Sequence, residues 1–439
     1  MKKLSPIAAF IFLACTCAVS PASAALSSKE QEIRDAVSVR ADEAVGFLEK
    51  VVTISSGTMS HDGVRAVGAE FSSALEELGF ETSWEAFPAE INRAGHLIAV
   101  REGARGKKLL LLGHLDTVFE AADGAAAFRR EGDTAFGPGV EDMKGGDVVL
   151  LYALKALADA GALDGASIEI VLTGDEELTG KPVEISRKSL VEAAKRADVA
   201  LNFESGEAGV AVTSRRGASG WRLTTSGKRA HSSGIFSDDT GAGAIFEASR
   251  ILDEFYKKVR GEKFLTFNPG VILGGSDVDY APDDNKGDAF GKTNVVAQKL
   301  VVDGGLRFIS EQQKERARAK MRKIVEKHLP QTGAEITFED SYPAMSPTKG
   351  NEALLSFYSA VTRDLGYGPV AGNDPAVRGA ADISFAAPYV EASMDGLGPI
   401  GAGGHTPNES LDLPTVREAS ERAAVLIYRL TQDGAPEFK

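Results

Sequence analysis

The chain has 439 residues, enough for two domains with separate cores, and 43% of them are hydrophobic and 26% charged, which is ordinary for a globular protein. The formal net charge is −14. A surface this acidic repels phosphate backbones and anionic lipid, so the composition argues against a nucleic-acid-binding protein.

The first 24 residues have the composition of an export leader. Lys2 and Lys3 precede an apolar run over residues 7–19, and Ala22-Ser23-Ala24 matches a cleavage signal of small residues. We therefore expect residues 1–24 to be a signal peptide and the mature chain to be periplasmic or secreted, without membrane contact after cleavage. An uncleaved anchor is one alternative, although the apolar run is shorter than the ~20 residues of a membrane span.

Both cysteines, Cys15 and Cys17, lie inside this leader. A lipoprotein signal around Cys15 is a second and weaker alternative for the leader. Cleavage would leave the mature chain without a thiol. We therefore expect neither disulfides nor a cysteine that acts as a nucleophile or a metal ligand.

Beyond the leader, Ser28-Lys29-Glu30-Gln31 fits a capping box, and a helical pattern continues to about Val52. Apolar strands then alternate with helices: residues 109–112 and 168–173 have the pattern of strands, and residues 147–160 between them that of a helix. This alternation predicts an α/β domain with a mainly parallel sheet. In such sheets, reactive groups collect at the carboxyl ends of the strands.

From about Arg216 the pattern changes to the order β-α-β-β-α-β, which is the ferredoxin-like split unit. The predicted elements are a strand at 220–225, a helix at 241–258, strands at 264–273 and 295–308, a helix at 310–328 and a strand at 335–339. We therefore predict a catalytic domain of residues 25–215 and 340–439, interrupted by an inserted domain of residues 216–339. The mixed charges of the second helix indicate a solvated face rather than a binding surface.

The first candidate motif, Gly113-His114-Leu115-Asp116, stands at the end of an apolar strand. One ring nitrogen of His114 could bind a metal ion while the Asp116 carboxylate holds the other nitrogen and fixes the tautomer. The motif alone is weak, and a solvated surface histidine is the alternative interpretation.

The second candidate is the loop Gly137–Gly146, which opens a helix. Glycines before a helix are also typical of a phosphate cradle. However, the dinucleotide spacing is missing, and Glu141 and Asp142 would repel phosphate. These charges favour a metal-binding loop, in which a carboxylate such as Asp142 can give one oxygen to each of two cations.

Acidic residues also follow two further predicted strands. Asp175-Glu176-Glu177 comes straight after one of them, and Glu204 closes another. Three adjacent carboxylates repel one another unless a cation or a proton neutralises them, although an exposed acidic turn is the alternative. Beside a metal ion, one glutamate can ligate while its neighbour takes and returns protons. His405, in a glycine-rich loop near the end of the chain, adds a second imidazole.

Taken in order, these five motifs resemble those of the di-zinc exopeptidases, in particular the branch that contains bacterial glutamate carboxypeptidase, aminoacylase and succinyl-diaminopimelate desuccinylase. The resemblance covers nearly the whole mature chain. It implies an α/β fold with a mainly parallel-sheet catalytic domain and an inserted ferredoxin-like dimerisation domain, and hence a homodimer. It also implies two Zn²⁺ per subunit, although oxygen and imidazole ligands would accept Mn²⁺ or Co²⁺ as well.

The resemblance implies a role for each motif. The implied metal ligands are His114, Asp142 and Glu204 for one zinc ion, and Asp142, Glu177 and His405 for the other. Glu176 is implied as the general base and Asp116 as the residue that supports His114. In this family the peptide bond after the shared aspartate is often cis.

The implied reaction is hydrolysis of an amide or peptide bond next to a free carboxylate, with metal-activated water and a glutamate as base. The substrate would be a small molecule or a short peptide. Relatives with glutamate at the position of Glu204 tend to be carboxypeptidases or acylases. We therefore expect a glutamate-carboxypeptidase-like enzyme, with an aminoacylase-like N-acyl-amino-acid amidohydrolase as the alternative. Two further alternatives are proteins without catalytic activity. An exported solute-binding protein would not need a cluster of carboxylates, and a non-catalytic scaffold would not need Glu176.

The inserted domain carries further candidates. His231 lies in a loop that resembles the family's Gly-x-x-x-His loop, whose histidine reaches the active site of the neighbouring subunit; a loop histidine without a role is the alternative. Asn294 and Arg307 match positions that hold the substrate carboxylate in related carboxypeptidases. Arginine suits this role because its fork binds a carboxylate through two parallel bonds, although Arg307 could also be an ordinary strand arginine.

One segment departs from the family pattern. Tyr342 begins Tyr-Pro-Ala where glutamate-releasing relatives have Arg-Pro-Ala, which puts a preference for glutamate in doubt. Arg378, followed by Gly379, could compensate as a substrate-binding pair. The remaining histidines fit no motif and are interpreted as structural: His61, His96 and His328.

Overall fold

The computed structural model describes residues 26–120, 127–282 and 285–438, and the predicted signal peptide, residues 1–24, lies outside them. The helices are α1 (Ser28–Val39), α2 (Ala41–Thr53), α3 (His61–Glu76), α4 (Lys144–Asp159), α5 (Val183–Ser186), α6 (Lys188–Arg196), α7 (Gly243–Lys258), α8 (Glu311–Val325), α9 (Lys349–Asp364), α10 (Ile383–Ala386) and α11 (Leu413–Leu430).

The strands are β1 (Glu81–Glu85), β2 (His96–Arg101), β3 (Arg105–His114), β4 (Arg129–Glu131), β5 (Thr134–Phe136), β6 (Ala166–Thr173), β7 (Val199–Asn202), β8 (Val210–Ala211), β9 (Gly217–Gly227), β10 (Thr266–Gly275), β11 (Asp277–Ala281), β12 (Lys286–Phe290), β13 (Lys299–Phe308), β14 (Thr332–Asp340), β15 (Ala371–Gly372), β16 (Ala392–Met394), β17 (Gly401–Ala402) and β18 (Ser410–Asp412).

The first helical region differs from its prediction in two ways. The capping box is formed by Ser27 and Glu30, each of whose side chains accepts a hydrogen bond from the other's backbone N–H, so the predicted box at Ser28 is wrong by one residue. A glutamate carboxylate is a stronger acceptor than a glutamine amide, and its charge suits the positive end of a helix. The predicted single helix is two helices, because the chain leaves helical geometry at Arg40, with ψ at 3°.

The main sheet has the strand order β1-β2-β6-β3-β7-β16. Strands β6, β3, β7 and β16 are parallel, and β2 and β1 add an antiparallel edge. Leu109 and Leu111 of β3 pack into one helical layer and Leu110 and Leu112 into the other, because successive side chains of a strand point to opposite faces. Burial on both faces accounts for the continuous apolar runs, and the prediction of a mainly parallel α/β sheet is confirmed.

A second sheet has the order β10-β13-β9-β14, with every pair antiparallel. Helices α7 and α8 pack with it around a separate core that includes Trp221, Phe255 and Met321. In chain order these elements are β9, α7, β10, β13, α8 and β14, which is the predicted ferredoxin-like order. The hairpin of β11 and β12, between β10 and β13, was not predicted, because its largely exposed residues give no clear burial pattern.

The carboxyl ends of three parallel strands lie level at one edge of the main sheet. His114, the last residue of β3, pairs with Thr173, the last residue of β6, and Leu112 pairs with Asn202, the last residue of β7. The segments that follow these strands therefore start beside one another. Within the described ranges, none of the helices is both long and apolar enough to cross a membrane.

Candidate metal centre

His114 stands at the middle of a first group of possible metal ligands. Its Nε2 atom lies 3.1 Å from Oδ1 of Asp142 and 3.8 Å from Oε1 of Glu204. Ligand atoms of the three residues all lie within 4.8 Å of one another. Atoms bound at about 2.1 Å to one tetrahedral ion lie roughly 3.4 Å apart, so these separations suit a single cation.

Asp142 joins this group to a second one. The Nε2 atom of His405 lies 3.1 Å from Oδ2 of Asp142 and 3.2 Å from Oε2 of Glu177. The two carboxylate oxygens of Asp142 therefore each face one histidine, which is the placement of a bridging ligand. His405 has a φ of 62°, a left-handed conformation that is uncommon for a residue other than glycine and that concentrates at functional sites. The peptide bond between Asp142 and Met143 is cis, which confirms the expectation from the family resemblance.

Three carboxylates and two imidazoles meet in the cluster, so its acidic groups outnumber its basic groups. Burial, with the charge of Asp142 adding to it, raises the pKa of Glu204 to about 8 and that of Glu177 to about 7. Burial also opposes ionisation of Asp142, but hydrogen bonds from His114 and His405 hold its pKa below its usual value. Among the described residues, Oε1 of Glu177 is buried without a hydrogen-bond partner. Two cations would neutralise the carboxylates and bind the orphaned oxygen, so this donor set fits a metal pair.

Glu176 lies beside the cluster without belonging to either group of ligands. Burial raises the pKa of its carboxyl well above the usual value. The charges of Glu204 and Asp382 add to this effect, while that of His114 opposes it. A carboxylate whose pKa is raised in this way can accept a proton near neutral pH, which a general base must do.

Asp116 holds the backbone on which Glu176 and Glu177 stand. Its Oδ1 accepts the N–H of Glu176 at 3.0 Å, and its Oδ2 accepts the N–H of Glu177 at 3.1 Å and the hydroxyl of Thr58 at 2.6 Å. The Nδ1 atom of His114 lies 3.0 Å from the carbonyl oxygen of Asp116 but 3.5 Å from its carboxylate. Asp116 therefore supports His114 mainly through its backbone, and its carboxylate orients the segment that carries the predicted base.

The sequence analysis missed Glu409. This residue is 2% exposed, and its carboxylate accepts the N–H groups of Gly139 at 2.9 Å, Glu141 at 2.8 Å and Asp142 at 3.0 Å. It therefore clamps the loop that carries the shared aspartate. The one available signal was an acidic residue in the same loop as His405.

Asp175, the first of the three adjacent acids, faces away from the possible ligands. Its Oδ1 lies 2.5 Å from Nη1 of Arg187, whose Nε lies 2.7 Å from Asp382. Arg187 is 1% exposed, so it is a buried cation between two carboxylates. It neutralises Asp175 and leaves Glu176 and Glu177 to face the cluster.

Arg378 and Gly379, predicted to bind substrate, lie at the rim of the cluster. The guanidinium of Arg378 donates to the carbonyl of Ser205 at 3.0 Å, directly after the possible ligand Glu204. The carbonyl of Gly379 accepts a hydrogen bond from Arg215 at 2.9 Å. The structure thus brings this pair close to the first group, while its contact with substrate stays a prediction.

The other predicted residues lie in the second sheet and its loops. His231 is exposed, with Nδ1 2.8 Å from the hydroxyl of Ser233, and the N–H of Ser232 donates to the carbonyl of Asn294 at 2.9 Å. Arg307 lies on β13. Within the part of the chain that the structure describes, none of these three candidates bonds to a possible metal ligand. Their roles stay predictions.

Comparison with known proteins gives consistent matches. The model of peptidase family M20/M25/M40 matches residues 110–429, a range that includes all the possible metal ligands. Carboxypeptidase G2 of Pseudomonas sp. (strain RS-16) is 28% identical, over 87% of this chain and 88% of that protein. Succinyl-diaminopimelate desuccinylase of Gluconobacter oxydans (strain 621H) is 25% identical, over 86% of this chain and 94% of that protein. Among solved structures, one match is the Bacillus subtilis YXEP protein, which is described as a dinuclear metal-binding peptidase of family M20. The two structures superpose with a TM-score of 0.62 at 13% sequence identity, and the match covers 90% of this chain and 99% of that chain.

Proposed function

The chain belongs to peptidase family M20/M25/M40, and on that premise we propose that it cleaves the amide bond of an N-acyl amino acid or a short peptide next to a free carboxylate. Membership makes the chain a metal-dependent hydrolase. Its similarity to carboxypeptidase G2 and to succinyl-diaminopimelate desuccinylase supports this substrate class. The observation that carries the proposal is the cluster itself, in which Asp142 lies between two histidines with Glu176 beside them.

We propose Zn²⁺ as the metal. One ion would be held by His114, Asp142 and Glu204, and the other by Asp142, Glu177 and His405. Nitrogen and oxygen donors suit zinc, but they also accept Mn²⁺ or Co²⁺. When bound, the two ions would supply polarisation of the scissile carbonyl and acidification of water.

Glu176 moves the proton in the proposed mechanism. Because burial and neighbouring carboxylates raise its pKa, it can accept a proton from the attacking water at neutral pH. It then returns this proton to the leaving nitrogen, so that the product departs as a neutral amine. Asp116 keeps Glu176 in place through the bond to its backbone N–H.

A pair of arginines, Arg307 in the second sheet and Arg216 directly before it, supports recognition of a carboxylate. Arg307 stands opposite Thr266 in the strand register, and the guanidinium of Arg216 donates to the hydroxyl of Thr266 at 3.2 Å. Partial burial, with the charge of Arg216 adding to it, lowers the pKa of Arg307. Within the described ranges neither arginine has a carboxylate partner, so an anionic substrate group would complete the pair. Asn294 and Arg378 are proposed as further contacts.

We also propose a homodimer in which His231 serves the active site of the partner, as the family resemblance implies. Beyond the loop of His231 lies an exposed apolar patch formed by Phe236, Ile245 and Phe246, which are 67%, 46% and 50% exposed. The rings of Phe236 and Phe246 are 5.5 Å apart. Contiguous exposed apolar groups of this kind mark interaction surfaces, which supports a partner contact here. Export of the chain stays a prediction.

The proposal is tested by turnover of the zinc-loaded protein on a panel of N-acyl amino acids and C-terminal dipeptides, read as release of the free amino acid. Glu176→Gln should lower kcat by about 100-fold or more while metal content is unchanged, because only the proton acceptor is lost. Glu192→Gln, the same change on the surface of α6, is the matched control and should leave kcat unaltered. Equal turnover by wild type and Glu176→Gln would contradict the proposal.

A further inference from the structure

Tyr342 lies where the chain returns from the second sheet to the main sheet. Its carbonyl accepts the N–H of Ala218 at 2.8 Å, and the carbonyl of Met345 accepts the N–H of Arg215 at 3.0 Å. The outgoing and returning segments are therefore bonded to each other, and we call these four residues the hinge strip.

The side chain of Tyr342 extends from the hinge strip to the segment that carries the proposed base. Its hydroxyl donates to the carbonyl oxygen of Glu176 at 3.1 Å and lies 2.7 Å from Oγ1 of Thr179. Because a phenol has one proton, the Thr179 hydroxyl is the donor in the second bond. The ring of Tyr342 lies 5.0 Å from that of Phe385, which fixes the direction of the side chain.

The Tyr342 hydroxyl is hydrogen-bonded to the peptide unit that joins Glu176 to Glu177. The N–H of this unit donates to Oδ2 of Asp116 at 3.1 Å, and its C=O accepts from Tyr342 at 3.1 Å. The torsions on either side of this unit, ψ of Glu176 and φ of Glu177, set the directions of the two glutamate side chains relative to each other, and bonds at both ends of the unit restrict these torsions. Asp116 and Tyr342 hold the unit from opposite ends, so each supplies part of the orientation that the base requires.

We propose that Tyr342 is a positioning residue that orients Glu176 and connects it to the hinge strip between the two sheets. This inference rests on the proposed role of Glu176 as the base. The family resemblance links this position to substrate preference, because glutamate-releasing relatives carry arginine there. The structure gives the residue a contact with the base segment instead, so its loss should change the rate of the chemical step rather than the choice of substrate.

Tyr342→Phe tests the inference on the full zinc-loaded chain, because it keeps the ring against Phe385 and removes only the hydroxyl. We expect kcat to fall about five- to tenfold, because the hydrogen bond to Glu176 is lost, with KM within twofold of the wild-type value. Zinc content should be unchanged. Hydrogen exchange at the Glu177 amide should become faster, because its peptide unit is released at one end.

Thr179→Val is the matched control. It removes the neighbouring hydroxyl but leaves the bond from Tyr342 to Glu176 intact, and kcat should stay within twofold of wild type. A wild-type kcat for Tyr342→Phe, an effect on KM alone, or an equal loss in Thr179→Val would overturn the inference. Failure of the proposed function has a different signature, namely that Glu176→Gln turns over substrate as fast as wild type.

Discussion

Two buried carboxylates, Asp116 and Glu409, fix the segments that present the possible ligands. Asp116 accepts two backbone N–H groups after β6, and Glu409 accepts three in the loop before α4. A carboxyl group has two oxygens that can each accept more than one hydrogen bond, so each residue can hold several N–H groups of its loop in one conformation. The two carboxyl groups thereby fix the backbone of the segments that carry Asp142 and Glu177.

Arg307 is the proposed contact to the substrate carboxylate that a single substitution tests best. Arg307→Met should raise KM for an N-acyl amino acid about tenfold or more and change kcat less, because it removes a charge-assisted bond to the substrate carboxylate. Arg307→Lys keeps the positive charge but loses the two parallel N–H donors of the guanidinium, and it should give an intermediate KM. Steady-state kinetics on one substrate of the panel measures both values.

The control for this series is Arg322→Met, the same substitution on the exposed surface of α8, where side-chain exposure is 50%. Its KM should equal that of wild type. An unchanged KM in Arg307→Met would remove Arg307 from the proposed substrate contacts.

Helix α7 carries Ile245 and Phe246, two of the three residues of the exposed apolar patch, so a substitution in this helix tests the proposed dimer. Phe246→Asp should weaken association at least about thirtyfold, because truncation of a buried interface aromatic costs about 2 kcal/mol or more. Activity should fall with it if His231 acts in the partner's site. Light scattering measures the mass, and the wild-type particle should have twice the mass of one chain.

Tyr389→Asp is the control for this change, because Tyr389 is 47% exposed but lies outside the second sheet. It should leave both mass and activity unaltered. A wild-type protein that is fully active as a monomer at micromolar concentration would refute the dimer and the role of His231 together.

The elements were predictable from sequence where their burial is periodic. Strand β3 is buried on both faces and gives an uninterrupted apolar run, and β9 alternates buried and half-buried residues along most of its length. The hairpin of β11 and β12 was missed because β12 is exposed at every position and carries no such period. The start of α1 was misplaced by one residue because Ser27 and Ser28 both fit a cap, and only the side-chain contacts with Glu30 distinguish them.

The candidate site was predictable as a set of motifs but not as a set of contacts. His114 and Glu204 could be found because each follows an apolar strand, and such strand ends meet at one edge of a parallel sheet. The supports of the site could not be found in this way. Glu409 and Tyr342 act through hydrogen bonds to backbone groups that lie more than 160 residues away along the chain, and such bonds leave no pattern in the sequence.

The possible metal ligands come from distant parts of the chain. The first group spans residues 114 to 204, and the second group brings residue 405 against residues 142 and 177. Cations that bind only the folded arrangement must stabilise it, by about 2.7 kcal/mol at a free metal concentration 100 times the dissociation constant. Metal binding and the integrity of the catalytic domain are therefore linked.

The most direct test of the shared metal pair is the zinc content of three proteins, each stripped with a chelator, reloaded and measured by mass spectrometry. We expect two zinc ions per chain in wild type. His405→Ala should retain one, because His114, Asp142 and Glu204 still form the first group, whereas Asp142→Asn should retain fewer than one, because both groups need this carboxylate. A wild-type protein that stays empty, or an Asp142→Asn protein that still binds two ions, would contradict the account.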